Sequence, residues 1–153
     1  MVESRLEEEE EKVESKLEEE KVKQAGKLAR IVSRMADYAL YKVTKLMSEA
    51  AGKELTPDEA LRFLDQHPEL LSFELLDEAI SSDFKIKLLV NSALRIAGAI
   101  VKRNNGWVSE LHEKGVTLFL EMLKFRRDLY ELLKDKHNLV EFLFNYIMYK
   151  LGV

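Results

Sequence analysis

Val2-Glu-Ser-Arg-Leu-Glu-Glu-Glu-Glu-Glu-Lys12 runs directly into Val13-Glu-Ser-Lys-Leu-Glu-Glu-Glu-Lys-Val-Lys23, and eight of the eleven aligned positions are identical. Eleven residues make three helical turns at about 3.67 residues per turn, so Val2, Leu6, Val13 and Leu17 fall on one narrow stripe. Almost everything else in the segment is charged or polar. The repeat therefore reads as an acidic helical extension with a thin apolar seam, suited to another helix rather than to a substrate. The seam is weak: it carries two apolar residues per eleven, against two per seven in an ordinary coiled coil. Like-charge pairs such as Glu3–Glu7, Glu10–Glu14 and Glu14–Glu18 oppose helix formation by an isolated tail, and Glu8–Lys12 and Glu19–Lys23 offset them only in part.

Downstream, apolar residues keep helical spacing without a breaker: Leu28, Ile31, Val32, Met35, Ala39, Val43, Leu46 and Met47. One helix from the amino terminus to about Ala51 is expected, with Gly52 at its C′ position. Thr56-Pro57-Asp58-Glu59 is a start signal, because Thr caps, Pro fits the first turn and Glu59 closes a capping box. A short helix should follow, stopped by His67-Pro68, and Pro68 should open the next. Ser81-Ser82-Asp83 caps a helix from Phe84 to Arg103, which Asn104-Asn105-Gly106 ends. A helix from Ser109 to about Asp135 is expected to carry Lys124–Asp128 and Arg127–Glu131 pairs on its outer side. Asn138 and Glu141 form a second capping-box pattern ahead of a last helix that is apolar almost all round. Such a helix is either central in a bundle or covered by a second chain.

These signals define an all-α fold: an antiparallel helical bundle of five or six helices over residues 24–153, with the charged extension of residues 1–23 in front. The chain has 153 residues, enough for one domain with a real core, and 46% of them are hydrophobic. No cysteine is present, so disulfides and thiolate metal sites are excluded. The absence of Cys and a 34% charged content rich in Glu and Lys are common in hyperthermophile proteins. No apolar run approaches the roughly 18 residues needed to cross a bilayer, and no apolar leader-like stretch opens the sequence. A cytoplasmic protein without membrane attachment is the expectation.

The net charge of −4 is unevenly placed. Residues 1–23 hold ten Glu against five Lys or Arg, and residues 24–83 are also acidic, whereas residues 84–136 are basic. Lys87, Asn91, Arg95 and Lys102 project together from the 84–103 helix, with Gly98 beside them. They form a candidate nucleic-acid face, although no aromatic residues interleave to stack on bases. The opposite side (Ile86, Leu89, Val90, Ala93, Leu94, Ile96, Ala97, Ile100, Val101) reads as a wide core stripe. The acidic tail could itself imitate the charge of a nucleic acid.

Little in the chain supports catalysis. Arg62 and His67 have a spacing similar to the Arg-x4-His of HEPN-type helical nucleases, but Phe63 stands where that motif usually has a polar residue. This leaves a nuclease as a remote alternative. His112 and His137 lack a Glu three residues earlier, so no di-iron pattern is present, and His137 with Glu141 would give only two ligands. No phosphate-binding glycine loop and no nucleophile elbow occurs. No metal or cofactor is expected. Trp107, the tyrosines and Met35, Met47, Met122 and Met148 read as core or interface fillers.

The expected function is thus a non-enzymatic interaction or regulatory protein that self-associates, with a dimer favoured. The contact residues would be Val2, Leu6, Val13 and Leu17 on the first helix and Phe142, Phe144, Tyr146 and Tyr149 on the last. Covering two apolar pairs per tail buries little, and ordering the tail consumes much of the gain. Most of the association energy is accordingly expected in the bundle. A protein partner for the first helix and a nucleic acid for the basic face are the other candidates.

Overall fold

The computed structural model describes residues 2–153, and the side chains of all of these except positions 2–6, 14 and 17. Among the described residues there are seven α-helices and no strand: α1 (Val2–Ala51), α2 (Pro57–Gln66), α3 (Phe73–Ser81), α4 (Phe84–Arg103), α5 (Trp107–Leu123), α6 (Arg127–Leu133) and α7 (His137–Leu151). A 3-10 turn, Pro68–Leu70, separates α2 from α3. The all-α bundle with a long first helix is the fold. α1 has 50 residues, a length of about 75 Å at 1.5 Å per residue.

α1 is the spine. Its second half packs against α2, α3, α4, α5 and α7. It contributes Leu28, Val32, Met35, Ala36, Ala39, Val43 and Met47 to a single continuous core. Phe119, Leu61, Leu76, Leu123, Leu133 and Leu143 close that core from the other helices. Burying such side chains is worth about 1.5–3 kcal/mol each and drives the assembly.

The local signals at α2 and α4 hold in detail. Thr56 accepts the Glu59 amide while the Glu59 side chain accepts the Thr56 amide, with Pro57 in the first turn. This bonding holds the Glu59 carboxyl below the usual carboxylate range. Asp83 accepts the Ile86 amide at 3.2 Å and starts α4. Gly52 ends α1 with φ 72, a left-handed backbone that a side chain rarely adopts.

Four expectations need correction. The helix count is seven rather than five or six, because the expected Ser109–Asp135 helix is two helices. Its break falls at Lys124–Arg126, where the Ser33 hydroxyl donates to the Met122 carbonyl at 2.8 Å and the Arg126 guanidinium reaches Asp37 at 3.0 Å. The turn replaces the expected Lys124–Asp128 and Arg127–Glu131 pairs with Lys124–Glu121, Arg126–Asp128 and Lys134–Glu131. The residue that opens α3 is Ser72, whose hydroxyl accepts the Leu75 amide, rather than Pro68. The starts of α5 and α7 also differ: Gly106 with φ 86 precedes Trp107, and α7 begins at His137 with no side-chain cap.

α5 is not straight. Gly115 has φ 45 and ψ −120, so the helix kinks there.

Candidate interaction surfaces

The tail is a helix standing clear of the bundle. Every described side chain from Glu7 to Lys23 is exposed, and Val13, on the seam, is 57% exposed. Val2, Leu6 and Leu17 have side chains outside the described residues. The register of the seam explains where it leads. Leu28 stands eleven residues after Leu17, and Gln24 and Met35 stand eleven and twenty-two after Val13. Leu28 and Met35 are buried in the core. The seam is therefore the outward continuation of the face by which α1 packs into its own bundle. Gln24 marks the joint, and its side-chain carbonyl oxygen is buried with no hydrogen-bond partner among the described residues. An open groove of about 210 Å³ lies beside this joint, lined by Ala25, Leu28, Trp107, Leu111 and Met122 among others.

The last helix is central in the bundle. Tyr146 is 3% exposed, and Leu139, Val140, Leu143, Ile147 and Met148 are buried with it. Phe142 and Phe144 are half-buried. Phe73 of α3 covers this side, with ring centroids 5.1 Å from Phe142, 5.6 Å from Tyr146 and 5.7 Å from Tyr149. The Tyr146 hydroxyl donates to Asp77, whose same oxygen lies 3.1 Å from the Lys150 ammonium. Burial, reinforced by the Asp77 carboxylate, raises the Tyr146 phenol well above its ordinary value. Of the four residues expected to meet a second chain, only Tyr149 is exposed, at 63%. The other helices of the same chain cover much of the rest of its apolar surface.

α4 carries two unlike faces. Ile86, Val90, Ala93, Ala97, Ile100 and Val101 are buried against the bundle. Lys87, Asn91, Arg95 and Lys102 are all exposed on the outside, as the sequence suggests. Leu89 and Ile96, however, are not core: they are exposed, together with Phe84 and Leu88. Phe84 reaches 75% and Leu88 51%. A stripe of nine apolar positions is wider than the arc that neighbours can cover, so its margin faces water. Phe84, Leu88, Ser92 and Ile96 follow at intervals of four and form one ridge along the outer surface. The signal that could have found this ridge was the excess width of the apolar stripe.

The ridge sits among cations. α4 contains Lys85, Lys87, Arg95, Lys102 and Arg103 and no acidic residue. Among the described residues, none of these five is in an ion pair. At the start of the helix the arrangement is different. The buried Lys42 of α1 lies 3.0 Å from Asp83, and the bond lowers the Asp83 carboxyl below its usual range, helped by the Ile86 amide. Nearby, Tyr41 raises the Lys45 ammonium through a hydrogen bond.

The histidines are scattered. His67 lies 3.5 Å from Glu69 and its ring is 4.7 Å from that of Phe63, while Arg62 is turned to Asp58 at 3.0 Å. Arg62 and His67 are thus each engaged with a different neighbour. His112, His137 and Glu141 are exposed. No group of three or more His, Asp or Glu able to hold a metal occurs among the described residues. No described helix is long and apolar enough to cross a membrane.

Comparison with known proteins finds no similar family model, no similar curated protein and no similar solved structure.

Proposed function

We propose that this chain is a non-enzymatic association module, a helical bundle that joins copies of itself through its projecting first helix. The observation that carries this reading is the exposed tail. A charged helix leaves the bundle on the same face that packs inside it, and its seam residue Val13 is exposed. A helix that buries one end of its stripe in a core and exposes Val13 further along is an unfinished packing surface. The outer ridge of α4 supports the same reading, because Phe84, Leu88, Leu89 and Ile96 expose apolar area to water on one helix.

Size-exclusion chromatography with light scattering tests this. The intact chain should run at twice its 17.8 kDa mass, and the double variant Val13→Glu, Leu17→Glu should shift toward the monomer. An intact chain that stays monomeric at tens of micromolar contradicts the proposal.

A second reading has one observation in its favour. The five cations of α4, without partners among the described residues, suit a phosphate backbone, which would make the protein a nucleic-acid-associated regulator. The apolar ridge among them is less suited to phosphates than to an amphipathic helix. Binding to duplex DNA or RNA that weakens steeply with salt separates the two readings.

A further inference from the structure

Resting on the self-association reading, we infer that the acidic tail of one copy docks on the outer ridge of α4 in a second copy. The two surfaces match in three ways. In pattern, the tail offers a narrow apolar seam with charged flanks, and α4 offers an apolar ridge of Phe84, Leu88, Ser92 and Ile96 with charged flanks. In charge, residues 1–23 hold ten Glu against five Lys or Arg, whereas α4 holds five Lys or Arg and no acid. In length, residues 2–23 span about 33 Å as a helix, and the 20 residues of α4 span about 30 Å.

The same facts exclude the simpler arrangements. Two tails paired with each other would bring Glu-rich flanks together, and two α4 ridges would bring Lys and Arg together. Opposite charges across an interface set the partner and the register, and like charges oppose it. The tail cannot reach the ridge of its own chain, because α1 runs unbroken from Val2 to Ala51 and carries the tail past the end of the bundle. The occupant must come from another copy. Two copies related by a two-fold axis would exchange tails, each making the contact once in each direction.

The absence of cysteine makes a direct test simple. Val13→Cys marks the middle of the tail and Ser92→Cys the middle of the ridge, both at exposed positions, so neither substitution touches the core. Whichever way the helices run, their middles meet. The two full-length variants are mixed and oxidised, and the products are identified by peptide mapping. The expected result is a disulfide joining the tail thiol of one copy to the ridge thiol of the other, in a yield that falls with salt. It should also be lost when Lys87, Arg95 and Lys102 are changed to Glu. Crosslinks only from tail to tail, or only from ridge to ridge, overturn the inference and leave self-association standing. So does a light-scattering dimer that gives no tail-to-ridge product. Retention of the dimer in the Glu variant, with loss of duplex DNA binding, also overturns it and assigns the face to nucleic acid. A wild-type chain that is monomeric throughout overturns the docking and the self-association reading together.

Discussion

The Lys42 ammonium, almost fully buried on α1, lies 3.0 Å from the Asp83 carboxylate that caps α4. One bond thus ties the start of α4 to the spine while Asp83 also accepts the Ile86 amide. This clamp fixes the first turn of α4 against α1, and the buried apolar face of α4 sets the rest of its packing. It also satisfies a buried charge that would otherwise be costly.

Acid should loosen this clamp. The Asp83 carboxyl titrates below its ordinary value because of Lys42 first and the Ile86 amide second. A depressed carboxyl stabilises the fold fully above the unfolded value of about 3.9, and that share is lost as pH falls through the folded value. Asp83→Asn keeps a cap but leaves Lys42 without its counter-charge. The variant should melt below the parent at neutral pH, and the gap should narrow below about pH 4. Thermal melts across that range check it, and a gap that does not change with pH would argue against the clamp.

On α7, Tyr146→Phe removes one hydrogen bond to Asp77 and leaves that carboxylate with Lys150. The expected loss at neutral pH is about 1 kcal/mol. Because burial raises the phenol, its contribution is full below the unfolded value of about 10 and declines as pH rises beyond it. Denaturant unfolding at neutral and alkaline pH should show the parent losing stability that the Phe variant does not lose.

Two glycines should respond with opposite signs. Gly115 sits at φ 45 and ψ −120, where a side chain strains the backbone, although its Cβ would meet Phe144 only at 3.8 Å. Gly115→Ala should cost about 1–3 kcal/mol. Gly98 is helical and a Cβ there would meet nothing within 4 Å. Gly98→Ala should add roughly 0.5–1 kcal/mol. Equal effects from the two in urea titrations would show that the kink is not what Gly115 supplies.

Replacing Lys87, Arg95 and Lys102 with Gln removes three exposed cations that have no ion pair among the described residues. Monomer stability should change by less than about 1 kcal/mol. Association between copies should weaken, and its salt dependence should flatten. Unchanged association, measured by light scattering at low and high salt, would count against an electrostatic role for α4.

The parts of the fold that were legible from residues are those coded locally. The unbroken period of α1, the Thr56–Glu59 box and the Asp83 cap each depend on neighbours within a turn. The break after Leu123 was not legible, because Lys124-Phe125-Arg126 contains neither Gly nor Pro. It is made by Ser33 and Asp37, each 89 residues away from its partner. Burial on the last helix and on α4 differs from the sequence pattern for a related reason. Hydrophobicity shows that Tyr146 and Ile96 prefer burial, but only packing decides which finds cover. Phe73 and Asp77 cover Tyr146 within its own chain, whereas Ile96 is left at the margin of α4. The cations of α4 were legible as an outer face because charge alone keeps them in water.

The claim that this chain joins copies of itself is tested most directly by sedimentation equilibrium of the intact protein over a wide concentration range. The account predicts a mass that rises from 17.8 kDa toward twice that value with concentration, at lower concentration in low salt than in high salt. A single species of 17.8 kDa at every concentration and both salts would contradict it.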